Sequence, residues 1–480
     1  MTMAKARMSG GSAHGAHDHH GAQGRHPAPA AAARVSDYFV RIGCDPLTGA
    51  FERRSFSPPW RGSRPVDTED VDAVFKRIFA TPRQETAVAY VHVPFCQTRC
   101  LFCGFFQNAW RPEAGAAYVD DLLAELATRS TTALVSSAPI DAVYIGGGTP
   151  SALAADDLAR LVEGLRHYLP LTSDCEITLE GRAFGFDLAK AVKVADAGVT
   201  RLSIGVQTFS TEVRRRLGRK LSGPEVKSFL ADLVALGRTA VVCDLIYGLP
   251  GHDRAEWCRD IEIVDQIGID GVTLYALNTF PGGPLASAIE KGKLSPPATP
   301  GEQARAYADA VERLAALGWL QVSQSHLVRS VREFNRYNAA IKRGVTCLPF
   351  GAGAGGQAHG YRWRNVIEIA QRREMIAQHR EPVEALALVP PDHAAHAMIA
   401  AGLEAGRLDL VAIEALRPGF RVAVAPLLAN WAAAGLGELS GDGFKPNHAG
   451  AFWIGNLTSG LSAGLQSATQ AESNACCGSV

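Results

Sequence analysis

The sequence predicts an α/β fold: a partial (β/α)6 TIM-like barrel followed by a smaller, mainly helical C-terminal domain. Three observations predict it. Six short runs rich in Val, Ile and Thr recur between residues 88 and 275, each bounded by Gly, Pro or polar residues. Helical patterns lie between most of them, which implies parallel strands joined by right-handed crossovers. The chemically unusual residues fall just after these runs, where barrels of this kind carry their function.

The elements follow in order. Residues 1–34 are low-complexity and rich in Ala, Gly and His, with His14, His17, His19, His20 and His26 among them. Such a stretch buries too little apolar surface to order itself and reads as a disordered tail, with a metal-binding tract as the alternative. Residues 35–87 form an irregular N-terminal segment in which SFSPPWRG is a loop. The expected strands are Val88–Val93, Ile140–Ile145, Glu176–Glu180, Arg201–Val206, Val241–Ile246 and Gly271–Tyr275. Each is short, partly β-branched and bounded by turn residues. Helical patterns occupy Tyr118–Thr128, Asp156–Tyr168 and Pro224–Leu236. The barrel then covers 88–300, and 301–365 closes it near the site. Residues 366–465 read as helices with a short β segment at AFWIGN, a helical or winged-helix-like domain that would serve as a lid. Residues 466–480 read as a flexible tail, in which Cys476 and Cys477 form an adventitious pair or a redox-active one.

Composition excludes several classes. The chain has 480 residues, 47% of them apolar and 20% charged, with 48 acidic and 48 basic side chains. A net charge of zero gives no field for nucleic acid and no polybasic membrane patch. No run approaches the roughly 18 to 20 apolar residues that a span requires, and the N-terminus lacks an export signal. Ten cysteines in so long a chain, three of them clustered, suit a metal site in a reducing compartment. The expected location is the cytoplasm.

That cluster is VAYVHVPFCQTRCLFCGFFQN, residues 88–108, with Cys96, Cys100 and Cys103 at Cys-x3-Cys-x2-Cys after the first strand. A closed zinc site needs four ligands, and His92 is the nominal fourth, although it alternates within a strand. An iron–sulfur cluster usually takes four cysteines, so three would leave one iron open for a substrate. Other features follow the later strands: GGGTP at Gly146–Pro150, Glu180 in EITLEGR, Gln207 in SIGVQTF, Arg219 in RRRLGRK, Asp244 in DLIYGLP, and Tyr275 with Ala276 in LYALN. The glycine turn exposes backbone groups to a ligand but lacks the Lys-Ser/Thr of a P-loop. Any one of these residues alone reads as packing or solvation; their joint order is harder to explain that way.

Together these motifs resemble the radical S-adenosylmethionine (radical SAM) superfamily, and within it the group of oxygen-independent coproporphyrinogen III dehydrogenase (HemN), over roughly residues 88–360. The resemblance implies that Cys96, Cys100 and Cys103 bind a [4Fe-4S] cluster whose open iron chelates SAM. It implies further that Tyr90, Gly147 and Glu180 contact that SAM, with Gly355 approaching through its backbone. Phe102, Gly148, Thr149, Gln207, Arg219, Asp244 and Ala276 would line a second SAM site, one that family members do not all use. Gly351, Gly353 and Gly356 in FGAGAGG satisfy G-x-G-x-x-G, but no βαβ unit surrounds them and the dinucleotide reading fails.

Coproporphyrinogen dehydrogenases carry Cys-Gly-Cys where this chain has Cys103, Gly104 and Phe105, and the heme-chaperone branch continues with Asp-Phe. The CGFFQN continuation, EGR after strand three and FGAGAGG are similar to the heme-utilisation (HutW/ChuW) branch, which includes anaerobilin synthases. The implied function is anaerobic opening of heme to a linear tetrapyrrole, with methyl transfer from SAM and release of iron. Heme is then the substrate, flavodoxin or ferredoxin the electron donor, and a tetrapyrrole-handling protein a downstream partner. A heme chaperone without turnover and a coproporphyrinogen dehydrogenase are the alternatives. His326, His359, Tyr361, Arg362 and Trp363 are candidate heme contacts, with structural or solvated roles equally open for each.

Overall fold

Successive residues of a strand face opposite ways, and here the alternation separates an apolar row from a chemically active one. The computed structural model describes residues 34–56, 61–67, 69–104 and 106–477, with side chains through 466. The histidine-rich tail, Phe105, part of SFSPPWRG and the side chains of Cys476 and Cys477 therefore lie outside the described residues.

Six parallel strands stand side by side in chain order: β1 (Ala87–Val93), β2 (Ile140–Gly147), β3 (Leu171–Gly181), β4 (Arg201–Gln207), β5 (Ala240–Tyr247) and β6 (Gly271–Ala276). The helices Pro112–Arg129, Ala155–Tyr168, Leu188–Ala197, Gly223–Leu236 and Arg254–Ile267 make the crossovers. Val91, Ile145, Leu179, Ile204, Leu245 and Leu274 share one face and are fully or almost fully buried in a single core with those helices. Each such side chain contributes about 1.5–3 kcal/mol relative to exposure. The opposite face carries Tyr90, Tyr144, Glu180, Ser203, Asp244 and Tyr275, aligned through the registers Tyr90↔Tyr144, Glu180↔Ser203 and Asp244↔Thr273. The core thus fixes which residues point into the barrel.

The barrel stays open. His326–Val328 runs antiparallel to β6 at one side. At the other, Cys347–Phe350 adds a seventh parallel strand beside β1, followed by the antiparallel strands Gly355–Ala358, Tyr361–Asn365 and Val383–Leu388. This extra parallel strand is an addition to the six expected. Its four residues include Pro349, a residue that argues against a central strand in a sequence. The glycine loop leads into a β-hairpin and not a helix, so it lacks the geometry of a dinucleotide site.

The C-terminal region is helical, with a small sheet of Leu408–Asp409, Gly443–Pro446 and Gly437–Ser440. AFWIGN departs from expectation: it is not a β segment but the junction of two helices, His448–Phe452 and Ile454–Cys477. The Asn447 side chain caps the first by accepting from Gly450 N at 3.1 Å, and Phe452, Trp453, Leu457 and Leu461 are buried at helical spacing. An aromatic run beside a glycine mimics a strand; the pattern beyond it does not. The last helix also continues into the expected tail. A further helix, Phe420–Ala433, holds the N-terminal segment, with Trp431 Nε1 donating to Tyr38 O at 2.9 Å and Asn430 Oδ1 accepting from Val40 N at 2.7 Å. Among the described residues no helix is long and apolar enough to cross a membrane.

Candidate active site

The loop after β1 is pinned before its cysteines do anything. Phe95–Cys96 pairs with Asn108–Ala109, and Trp110 N donates to Cys96 O at 3.0 Å, closing a loop around Cys100 and Cys103. The turn after β2 presses on it: Gly148 N donates to Val93 O at 2.8 Å and Thr149 N to Phe95 O at 2.7 Å. A Cβ on Gly148 would stand 2.5 Å from Phe95 O, so the approach requires glycine. Gly147, at φ +110°, lies against the His92 ring in the same way.

This places Cys96 and Cys100, both buried, and half-buried Cys103 around a cavity of about 190 Å³ at the C-terminal end of the strands. Thr149 Oγ1 donates to Cys96 Sγ at 3.4 Å, and Arg219 Nη1 approaches Cys100 Sγ at 3.7 Å. Burial raises the Cys96 thiol above its ordinary pKa, against Thr149 and Arg182. The zinc alternative gains no support. His92, the nominal fourth ligand, is held at Nδ1 by Tyr90 OH at 3.0 Å.

Two carboxyl groups face the thiols. Glu180 accepts from Tyr144 OH and from Gly147 N, each at 3.1 Å. Its pKa is pushed up to about 7 by burial and then by Asp244, against those two hydrogen bonds. Asp244 is pushed up to about 6, chiefly by burial, with Arg201 and hydrogen bonds opposing. Ser203 Oγ donates to Asp244 Oδ2 at 3.3 Å, while Oδ1 is buried without a partner among the described residues. Gln207 sits at φ +69°, a strained value for a non-glycine residue. Its Oε1 accepts from Arg219, whose guanidinium also donates to Gly205 O and keeps Nε unpartnered. Burial and the neighbouring Arg182 lower the Arg219 pKa to about 10. Unsatisfied buried donors and acceptors of this kind mark a place where a ligand completes the hydrogen bonding. Three thiols, an acceptor at Asp244 and a donor at Arg219 on one cavity fit an iron–sulfur cluster with a zwitterionic ligand beside it.

A family model described as the Radical SAM superfamily matches residues 90–264, from β1 into the helix after β5. Anaerobilin synthase of Escherichia coli is 40% identical over 439 residues, covering 90% of this chain and 96% of that protein. The chain belongs to the radical SAM superfamily. Another member, heme chaperone HemW of Mycobacterium tuberculosis, is 34% identical over 301 residues, 61% of this chain and 75% of that one. Among solved structures, coproporphyrinogen III oxidase (HemN) from Escherichia coli superimposes with a TM-score of 0.72 at 21% identity, covering 85% of this chain and 96% of that chain. That likeness establishes the shared radical SAM fold. Superfamily membership brings a [4Fe-4S] cluster and SAM as cofactors.

Most residues singled out from the sequence meet at the cavity: Tyr90, Cys96, Cys100, Phe102, Cys103, Gly147, Gly148, Thr149, Glu180, Gln207, Arg219 and Asp244 line it. Ala276 and Gly355 do not. Strand alternation turns Tyr275 inward in place of Ala276, and Gly355 is engaged in the strand opposite Arg364. The candidate heme contacts also lie elsewhere. His326 Nε2 pairs with buried Glu333 at 2.9 Å below the cavity. Trp363 packs on Phe75 and Phe79, the Tyr361 hydroxyl accepts from Arg77, and His359 bonds Thr81 O. Arg362 shares that outer strand, opposite Gln357. No C-terminal residue lines the cavity, so the expected lid is absent from its described walls. The lining residues given no role from the sequence are Thr98, Phe106, Gly181, Arg182, Gly205 and Ile246. Two-residue spacing from Ser203 and Asp244 points to Gly205 and Ile246; Phe106 and Arg182 lie on loops, inside the CGFFQN and EGR motifs that carry the resemblance but without a role assigned to either side chain.

Proposed function

We propose that this radical SAM enzyme opens heme to a linear tetrapyrrole without oxygen, with methyl transfer from SAM and release of iron. The observation that carries the proposal is the 40% identity to anaerobilin synthase, which runs almost end to end through both chains. In this reading Cys96, Cys100 and Cys103 hold three corners of the [4Fe-4S] cluster. Bound together, cluster and SAM supply one-electron cleavage chemistry that no side chain provides.

The chain's own residues bind, orient and exclude water. Tyr90, Gly147 and Glu180 surround the cluster-bound SAM, with Glu180 as acceptor for a hydroxyl or ammonium. Phe102, Gly148, Thr149, Gln207, Arg219 and Asp244 form the pocket of a second SAM, where Arg219 donates to a carboxylate and Asp244 Oδ1 accepts. Glu180 and Asp244, near 7 and 6, hold or release a proton close to neutral pH. Phe102, Phe106 and Ile246 offer the apolar surface a macrocycle needs. At about 190 Å³ the cavity is smaller than the roughly 300–1,000 Å³ of small-molecule sites, so heme seats across its mouth. A flavodoxin or ferredoxin supplies the electron, and a tetrapyrrole-handling protein takes the product, both in the reducing cytoplasm.

The test is anaerobic incubation of cluster-loaded protein with heme, SAM and a reductant. Loss of the Soret band with release of iron, dependent on all three and absent in Cys100→Ala, supports the proposal. A second reading, heme carriage without turnover, draws on the 34% identity to the heme chaperone. Heme that binds and survives while SAM is untouched would favour it.

A further inference from the structure

The cysteine loop is covered on one side by a short segment that follows β4. This segment is Arg214–Lys220, with Leu101 N donating to Leu217 O at 3.3 Å and Arg219 turned inward onto Cys100. The outward positions of this segment, Arg215, Arg216, Gly218 and Lys220, are exposed, as is Arg99 on the cysteine loop itself. Gly218, at φ +80°, has its missing Cβ 3.4 Å from Arg99 O. One backbone layer, bare of side chain at its centre, therefore separates solvent from the turn that carries Cys100.

The ring around that bare spot is basic. Glu212 pairs with Arg216, but among the described residues no carboxylate pairs with Arg99, Arg215 or Lys220. Arg99 is steadied over the Phe106 ring, 5.5 Å from its centroid. The whole chain has 48 acidic and 48 basic side chains, so this rim is a local feature and not the trace of a basic protein.

An electron must come from outside, and transfer weakens steeply with distance, so a donor has to seat close to the cysteine loop, which at Gly218 is covered by backbone without a side chain. We propose that Arg99, Arg215, Arg216 and Lys220, ringed about Gly218, form the docking surface for an acidic one-electron carrier protein. This rests on the reading that the three cysteines hold an iron–sulfur group. The carrier gives one electron to that group and leaves oxidised by one electron. The opposed charges raise the encounter rate and fix orientation, and salt weakens both.

The probe is an acidic flavodoxin, with the full chain as parent and as the double variant Arg215→Glu/Lys220→Glu. Both positions are exposed, and neither side chain touches the cavity. Two quantities are read: flavodoxin binding by calorimetry, with and without the cluster, and the rate of cluster bleaching by reduced flavodoxin or by dithionite. The parent should lose flavodoxin affinity and rate as salt rises. The variant should show both lowered about tenfold or more at low salt, with dithionite reduction unchanged. Equal flavodoxin binding by variant and parent would overturn the proposal. So would a matching loss with dithionite, which would place the effect at the cysteines, or tighter binding of a single-stranded oligonucleotide than of flavodoxin. If the cysteines take up no iron, the reading of the site fails, while calorimetry on the cluster-free chain still decides the docking surface.

Discussion

Replacing Glu180 by Gln should make the ligand-free chain more stable at pH 8 while weakening its grip on SAM. The Glu180 carboxyl rises from 4.5 unfolded to about 7 folded. The folded chain therefore holds the proton more tightly, and stability falls as pH climbs from 4.5 through 7. At 1.36 kcal/mol per unit, the ionised carboxylate costs at most about 3 kcal/mol above that window. Part of the residue faces the cavity, so water there reduces the cost. Gln also keeps only one of the two acceptors that serve Tyr144 and Gly147, a loss of about 1 kcal/mol. The net expectation is a gain of about 1–2 kcal/mol at pH 8 and none, or a slight loss, at pH 5. Urea unfolding of the cluster-free chain across this range reads the difference directly. Glu180→Gln proving less stable than the parent at pH 8 would refute the reasoning, because the carboxylate would then be compensated by its surroundings. SAM affinity of the cluster-loaded protein should meanwhile fall several-fold, the stability–function opposition expected of a ligand-binding residue.

Other perturbations separate cluster, scaffold and chemistry. Alanine at Cys96, Cys100 or Cys103 should abolish iron–sulfur absorbance and SAM cleavage, whereas Cys44→Ala should leave iron content unchanged by metal analysis. Glu333→Ala strands Arg201, whose Nε lies 2.9 Å from both Glu333 oxygens in a buried pair, and should cost about 3–5 kcal/mol in urea unfolding. Gly148→Ala forces a methyl against Phe95 O and should cost about 1–3 kcal/mol together with much of the iron uptake. Arg219→Lys loses the fork that reaches Gly205 O and Gln207; its iron content should persist while methylated product, followed by mass spectrometry, falls sharply.

The parts of the fold legible in the sequence are those written in periodicity. Five of the six barrel strands begin and end within two residues of expectation because β-branched runs between turns have few other uses, while β3 starts five residues early, at Leu171. Cys347–Phe350 was hidden by its proline and its four-residue length, and AFWIGN by reading an aromatic run without its helical continuation. The site was legible where chemistry and spacing coincide, as with the cysteines, GGGTP, Glu180, Gln207, Arg219 and Asp244. It was not legible where selection depends on a facing element. His326 and Trp363 are candidate heme contacts in the sequence with structural roles equally open; Thr273 of β6 and Glu333 hold the first, and the helix Val71–Ala80 packs over the second. Arg182 stands in the sequence only as the last residue of the EGR motif, with no role of its own. A loop guanidinium becomes part of a cavity only when β3 ends beside the cysteine loop, where Nη1 reaches Thr98 O at 3.1 Å.

The most direct test of the central claim is the mass of the tetrapyrrole formed under anaerobic turnover with heme and SAM labelled in its methyl group. The account predicts a linear, iron-free tetrapyrrole carrying the label, absent when Cys96, Cys100 or Cys103 is replaced. Intact heme recovered from cluster-loaded protein that has consumed no SAM would contradict it.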